Sequence, residues 1–268
     1  MHNSTTEQQS GCMPTIFFGH GSPGNILEDN KATQMWQRLG REIGTPKGII
    51  CISSHWYTDG VGVTSSELPK TIHDFGGFPP AMYEMQYPAP GSPTLAEKIV
   101  NILSEERAVL DDSWGFDHGA WCVLKKVFPQ ANIPVVQLSI HRHQPPEFHF
   151  KIGQKLSQLR REGYLIMGSG NIVHNLSVMD WGGRNKTFDW AKRFGDNIRN
   201  AISINNPESV IHYTKFGADA QTSVPNPDHF LPLLYVLGAR VSEDIVRFET
   251  NYVEYGSLDM TTVVFSSD

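Results

Sequence analysis

The alternation of short apolar runs with helically spaced apolar residues constrains the fold of this chain more than any other feature. Four runs are continuous and apolar, as expected of strands buried on both faces of a parallel sheet. These runs are TIFF (15–18), GIICIS (48–53), IPVVQLSI (133–140) and YLIMGSG (164–170). Between them, as in 30–44 and 147–162, apolar residues recur at helical spacing. The pattern predicts an α/β fold, a three-layer αβα sandwich around a mostly parallel sheet.

A histidine follows each of these four runs. The four are His20, His55, His141 and His174. The carboxyl ends of parallel strands meet at one edge of the sheet, where α/β proteins bind their ligands. One histidine at a strand end indicates a packing residue, but imidazoles repeated at that edge favour a metal site or proton-transfer chemistry. His141 is the weakest candidate because it lies in the hydrophilic turn HRHQPPEFH.

Two further histidines each stand at the beginning of an apolar helix. His118 lies in WGFDHGAW, and His229 lies in PNPDHFLPLL behind two prolines. A helix N-terminus favours the neutral form of an imidazole, which suits a base or a hydrogen-bond donor. A capping-region residue without chemistry explains His118 equally well.

Charge and missing motifs exclude several classes of protein. The 268 residues suffice for one large core, and the formal charge of −6 without a basic run opposes nucleic-acid binding. No apolar stretch approaches the roughly 20 residues of a membrane helix. The sequence contains neither H-E-x-x-H nor G-x-S-x-G, which excludes a zincin and disfavours a serine hydrolase.

Cysteine usage and the first residues bear on compartment and domain limits. Cys12, Cys51 and Cys122 show no C-x-x-C spacing, which favours a reducing cytoplasm over a disulfide framework. The opening residues lack the basic and apolar regions of a signal peptide. We therefore expect a cytoplasmic protein with a flexible polar leader over 1–12 and a single domain over 13–268.

Five short motifs, taken together, resemble one enzyme family. GHGSP, SSHW, FDHGAW, GSGNIVHN and PDHFLPLL occur here in the order found in class III extradiol ring-cleavage dioxygenases, and the match is to the DOPA 4,5-dioxygenase-like branch of bacteria and plants. The long segment DFGGFPPAMYEMQYPAPG (74–91) is similar to a loop of that branch. The resemblance covers nearly all of the chain from Met13 onward, and implies one extradiol dioxygenase-like catalytic domain.

The resemblance implies one divalent metal ion per chain. Its ligands would be His20, His55 and His229, joined by His174 in zinc-bound members of the branch. In related enzymes the histidine equivalent to His174 is instead the general base, so both roles stay open. His118 would be a second catalytic histidine that hydrogen-bonds substrate hydroxyl or oxygen.

The metal itself is predicted as either Zn²⁺ or Fe²⁺. Four imidazoles suit Zn²⁺, the ion expected in isolated protein, whereas oxygen chemistry calls for Fe²⁺. Iron sites of this kind usually include one carboxylate, for which Asp228 and Glu84 are available.

The implied reaction is insertion of O₂ into the ring of a catechol. For L-DOPA, cleavage at the 4,5 position would give 4,5-seco-DOPA, which cyclises to betalamic acid. Phe75, Phe78, Tyr83 and Tyr87 of the long loop would wall the pocket. The histidines alone also fit a zinc hydrolase of a small amide or ester, or a zinc-storage module. We expect a monomer or small homo-oligomer that binds neither nucleic acid nor membrane.

Overall fold

The structure, a computed structural model, describes residues 11–267. The leader predicted over 1–12 lies almost entirely outside this range. From Met13 onward the chain is held to the fold, because the Met13 amide donates to the carbonyl of Arg160 at 3.0 Å. Among the described residues, no helix is long and apolar enough to cross a membrane.

A mixed eight-stranded sheet forms the centre of the fold. Ten strands, eight of them in this sheet, occur among the described residues: β1 (Thr15–Gly19), β2 (Gly48–Thr58), β3 (Gly62–Thr64), β4 (Val109–Asp111), β5 (Val135–His141), β6 (Tyr164–Gly170), β7 (Ile245–Thr250), β8 (Val253–Glu254), β9 (Leu258–Asp259) and β10 (Thr262–Ser266). The order in the sheet is β4-β3-β5-β2-β6-β1-β10-β7, and β8 pairs with β9 separately. The central strands β5, β2, β6 and β1 are all parallel, so their carboxyl ends share one edge.

Helices surround this sheet. They are α1 (Lys31–Ile43), α2 (Pro80–Glu84), α3 (Pro93–Ile102), α4 (His118–Val127), α5 (Pro146–Leu156), α6 (Gln158–Arg161), α7 (Asp189–Ser203), α8 (Pro207–Ile211), α9 (Ala218–Ser223) and α10 (Leu231–Gly238). Short 3₁₀ helices cover Pro23–Leu27, Leu176–Val178, Tyr213–Phe216 and Pro227–His229.

Two separate apolar layers cover the two faces of the sheet. In β1, Phe17 belongs to one layer, with α5, α7 and α10, while its neighbours Ile16 and Phe18 belong to the other, with α1 and α4. Strand side chains alternate between faces, so one strand contributes to both layers. The predicted α/β sandwich around a mostly parallel sheet is therefore confirmed.

Two elements differ from those expected. The helix predicted over 147–162 is divided into α5 and α6 at Ser157. The strand predicted over 48–53 continues to Thr58, with a register shift between Ile52 and Tyr57. This irregular stretch of β2 contains His55, so the histidine lies within the strand rather than after it.

Candidate metal centre and active site

Three histidines from distant parts of the chain converge at the carboxyl edge of the sheet. His20 follows β1, His55 lies in β2, and His229 ends the 3₁₀ helix that leads into α10. Their ring centroids are 5.1 to 5.4 Å apart. One ring nitrogen from each lies within 4.8 Å of the other two, an arrangement that could hold a metal ion.

Glycines permit this convergence in two different ways. Gly21 turns the chain after His20 with φ of +61°, a conformation that side chains with a Cβ rarely adopt. At the end of β6, a Cβ on Gly170 would lie 2.1 Å from the carbonyl oxygen of His229. The glycine after β1 thus serves a bend, whereas the glycine of β6 lets the segment carrying His229 approach the sheet.

A serine fixes the protonation of the His20 ring. The hydroxyl of Ser169 donates to the carbonyl of Gly119 at 2.5 Å, so its oxygen accepts from His20 Nδ1 at 2.9 Å. The hydrogen therefore lies on Nδ1, and Nε2 keeps its lone pair. Hydrogen bonds of this kind orient metal-binding histidines.

A carboxylate does the same for His229. Asp228 Oδ1 accepts from His229 Nδ1 at 2.8 Å and from the His229 amide at 2.6 Å. Carboxylate–histidine pairs of this type are common behind metal ions. Asp228, one of the two carboxylates considered from the sequence, thus backs a candidate ligand. The other, Glu84, is exposed in α2.

The electrostatics of the cluster suit a divalent cation. Burial, reinforced by the neighbouring imidazoles, holds the pKa of His20 and of His229 well below the usual value. Burial also lowers the pKa of His55 to about 3. The Nε2 atom of His55 is buried and has no hydrogen-bond partner among the described residues. Neutral imidazoles whose ring nitrogens lie within 4.8 Å of one another are donors that both zinc and iron accept.

His118 lies directly against this cluster. It is the first residue of α4, capped by Asp117, whose carboxylate accepts from the Ala120 amide at 3.2 Å. Its ring centroid is 3.8 Å from that of His55. The structure therefore brings His118 to the same edge as the candidate ligands.

Asp74 is a site residue that sequence reasoning missed. Its Oδ1 accepts from the His118 amide at 2.8 Å and lies 3.0 Å from His118 Nδ1, while Oδ2 lies 3.6 Å from His55 Nδ1. Burial opposes ionisation of Asp74, but its contacts with His118, among them the hydrogen bond from the His118 amide, lower the pKa of Asp74 overall. Asp74 is the first residue of the loop segment DFGGFPPAMYEMQYPAPG, but nothing in that segment assigned a role to it.

His174 stacks on His229 rather than pointing at the group of three. The two ring planes differ by 3° and the centroids are 3.5 Å apart. Burial lowers the pKa of His174 to about 4, which leaves the imidazole neutral near pH 7. The nitrogen lone pairs of an imidazole lie in its ring plane, so the lone pairs of these two parallel rings do not converge on one point.

Aromatic residues of the long loop cover His118 from one side. Phe75 meets His118 edge to face at 5.8 Å and packs against Phe78 and Tyr83. Tyr87 differs from expectation: it is fully buried, and its hydroxyl donates to the carbonyl of Phe128 at 3.1 Å, which makes it a core residue.

The remaining strand-end histidine stays outside the cluster. The ring of His141, at the end of β5, contacts His143 and Phe148 instead. Its surroundings fit the interpretation of a partly solvated turn residue. Cys51 and Cys122 are buried free thiols, as expected of core residues.

The family match assigns this fold and site to the ring-opening dioxygenases. Residues 14–266 match the family described as the catalytic LigB subunit of aromatic ring-opening dioxygenase, and the chain belongs to this family. Dioxygenases of this family use a metal ion and act on a small aromatic substrate with O₂. The match does not favour the hydrolase alternative.

Particular relatives carry more specific names. The chain is 45% identical over 255 residues to the 4,5-DOPA dioxygenase extradiol of Escherichia coli K12, covering 94% of each chain. It is 36% identical over 263 residues to the protein of the same name from Beta vulgaris, covering 94% of this chain and 96% of that one. A crystal structure of an uncharacterized E. coli K12 protein superposes with a TM-score of 0.83 at 40% identity, covering 94% and 99%.

Proposed function

We propose that this protein cleaves L-DOPA at the 4,5 position to give 4,5-seco-DOPA, which cyclises to betalamic acid. The observation that carries the proposal is the convergence of His20, His55 and His229 beside two further histidines. The names of the E. coli and plant relatives support L-DOPA as the catechol. One domain over 13–268, in the reducing cytoplasm and as a monomer or small homo-oligomer, would carry the reaction.

The three converging imidazoles are our proposed metal ligands. A bound Fe²⁺ would supply electron transfer between a chelated catecholate and O₂, which redox-inert Zn²⁺ cannot provide. We therefore propose Fe²⁺ as the working ion and Zn²⁺ as the form met in isolated protein. Nδ1 of His20 is hydrogen-bonded to Ser169, and Nδ1 of His229 is hydrogen-bonded to Asp228. In both residues Nε2 is therefore the nitrogen that would bind the ion.

His118 and His174 are our proposed proton-transfer residues. A catechol loses a hydroxyl proton when it chelates a cation, and a neutral imidazole within reach can accept that proton. The stacked geometry of His174 favours this role over ligation, because its ring would have to rotate away from His229 to reach the same ion. The aromatic residues Phe75, Phe78 and Tyr83 give the pocket an apolar wall.

Anaerobic loading followed by oxygen uptake tests the proposal. Protein loaded with Fe²⁺ under nitrogen is mixed with L-DOPA, and oxygen consumption and visible absorbance are recorded. We expect one O₂ consumed per L-DOPA and a yellow product. Metal-bound, folded protein that consumes no oxygen with any of a panel of catechols would overturn the proposal.

Two controls separate the proposal from its rivals. Zn²⁺-loaded protein should bind catechol but consume no oxygen. The same zinc-loaded protein should hydrolyse none of a set of amide and ester substrates. Hydrolysis of any of them would support the hydrolase alternative.

A further inference from the structure

We propose that Asp74 is a positioning residue that holds the hydrogen of the His118 ring on Nδ1, so that Nε2 accepts the substrate's proton. The inference rests on the proposed function for its consequence in turnover. Its structural part, the tautomer of His118, can be tested without turnover. Neither the family match nor any sequence motif assigned a role to this aspartate.

The contacts of one carboxylate oxygen determine the favoured tautomer. Asp74 Oδ1 accepts the amide hydrogen of His118 at 2.8 Å and lies 3.0 Å from Nδ1 of the same residue. The second contact is an electrostatic one, because the two atoms are not aligned for a hydrogen bond. An ionised carboxylate can only accept hydrogen bonds. A bare Nδ1 would place a lone pair against a negative oxygen, whereas an Nδ1–H is attracted to it. Nε2 of His118 makes no hydrogen bond to residues 11–267 and so keeps its lone pair for substrate.

The loop that carries Asp74 is fastened to the segment that precedes α4. The Ile72 amide donates to the carbonyl of Phe116 at 2.7 Å. The Trp121 indole in α4 donates to the carbonyl of Ile72 at 2.9 Å. Asp74 lies two residues beyond one anchor, and His118 two residues beyond the other. The carboxylate is thus fixed relative to the imidazole that it orients.

A second interpretation of the same atoms makes a different prediction. His55, Asp74 and His118 also lie close enough together to hold a cation of their own. We favour orientation because Oδ1 already accepts the His118 amide hydrogen, while Oδ2 is 3.6 Å from His55 Nδ1. A second cation site would bind a second ion per chain, and orientation would not.

Histidine ring spectra of the zinc-loaded protein test the tautomer directly. Long-range ¹H–¹⁵N spectra distinguish Nδ1–H from Nε2–H rings, and His118→Gln assigns the signal. We expect Nδ1–H in the wild type and in Asp74→Asn, which keeps an acceptor oxygen. Asp74→Ala removes the acceptor and should shift His118 toward Nε2–H. Asp112→Ala, which removes an exposed aspartate close to α4, is the matched control.

Turnover of the Fe²⁺-loaded variants tests the consequence. Asp74→Ala should lower kcat by about 10–100-fold, as measured for groups that orient catalytic-site ligands. KM should stay within about twofold, because substrate chelation is retained. Asp74→Asn should recover most of the loss, and the metal content should remain one ion per chain in all variants.

Three results would overturn the inference. They are an Nε2–H ring at His118 in the wild type, a tautomer that Asp74→Ala leaves unchanged, and binding of two ions of which Asp74→Ala loses one. If the wild type turned over no catechol, the proposed function would fail, while the ring spectra would still decide whether Asp74 orients His118.

Discussion

Two buried polar regions of this protein are built in opposite ways. At Arg160, every guanidinium hydrogen has an acceptor. Nε donates to Met13 O at 2.6 Å, Nη1 to Ala239 O and Asp244 Oδ2, and Nη2 to Asp244 Oδ1 and Phe265 O. The cluster joins the start of the fold to its last strand. Satisfied hydrogen bonds of this density stabilise a single packing arrangement.

The histidine cluster leaves its polar atoms without such partners. His55 Nε2 is buried without a hydrogen bond to any described residue, and hydrogen bonds on Nδ1 leave Nε2 of His20 and His229 with lone pairs. A buried polar group without a partner costs stability. This fold therefore gains stability at Arg160 and gives some of it up at the histidines, where chemistry needs free lone pairs.

The largest effect should follow from removing a candidate ligand. His55→Gln deletes one of three imidazoles, so we expect loss of bound metal after desalting and loss of detectable oxygen uptake. His143→Gln is the control, since the side chain of His143 is 67% exposed and outside the cluster. Elemental analysis and an oxygen electrode measure both. Full metal content and full turnover in His55→Gln would show that His55 is not a metal ligand.

Breaking the satisfied cluster should cost stability instead. Asp244→Asn leaves the guanidinium of Arg160 buried without its counter-charge, which typically costs about 3–5 kcal/mol. Urea unfolding of the metal-free protein measures this loss. Glu243→Gln removes the partner of the exposed Arg161 and should leave the free energy of unfolding nearly unchanged. Equal losses in the two variants would mean that burial does not distinguish them.

A buried imidazole outside both regions, that of His149, should make the stability of the fold depend on pH. His149 Nδ1 lies 2.8 Å from the Tyr235 hydroxyl, and burial, reinforced by the neighbouring His141, lowers the pKa of His149 to about 4. Between about pH 6.5 and pH 4, His149 is protonated in the unfolded chain but stays neutral in the folded chain. Stability therefore falls as the pH drops from 6.5 to 4.

His149→Phe should remove this part of the acid sensitivity. The shift corresponds to about 3 kcal/mol between the two ends of the window. The measurement is the difference between wild type and variant in unfolding free energy of metal-free protein at pH 7 and pH 4. The variant should be less stable at pH 7, because Tyr235 loses its partner, but its slope should be shallower. Parallel slopes would show that His149 titrates normally in the fold.

The smallest effect should come from the serine behind His20. Ser169→Ala removes the hydrogen-bond acceptor of His20 Nδ1 but leaves all three candidate ligands in the sequence. Metal affinity should therefore fall about tenfold. Competition with a chelator measures the dissociation constant, and Ser104→Ala, on an exposed turn, is the control. Unchanged metal affinity in Ser169→Ala would mean that Ser169 is not required to hold the His20 ring in its metal-binding tautomer.

The sequence predicted the central part of the fold because its strands are buried on both faces. Continuous apolar runs such as those of β5 and β6 leave few alternatives to a parallel sheet. The short edge strand β4 and the strand β7 escaped prediction, since their residues are partly exposed and carry no clear period. The division between α5 and α6 also depends on packing rather than on the period of apolar residues.

The candidate site was predictable to the extent that histidines follow strands. His20 and His55 were selected because each follows a continuous apolar run, although His55 then proved to lie within β2, and His229 was selected because its motif is recognisable. Asp74 could not be found in this way. Its role depends on a loop whose position is set by hydrogen bonds to Phe116 and Trp121, and neither contact has a local sequence signal.

The three candidate ligands come from β1, β2 and the segment before α10, near opposite ends of the chain. An ion held by all three would act as a cross-link that exists only in the folded protein. By mass action, each tenfold excess of free ion over its dissociation constant would then add about 1.4 kcal/mol to the free energy of unfolding. The melting temperature would in that case rise with the concentration of free ion and so report how much of the ion is available to the protein.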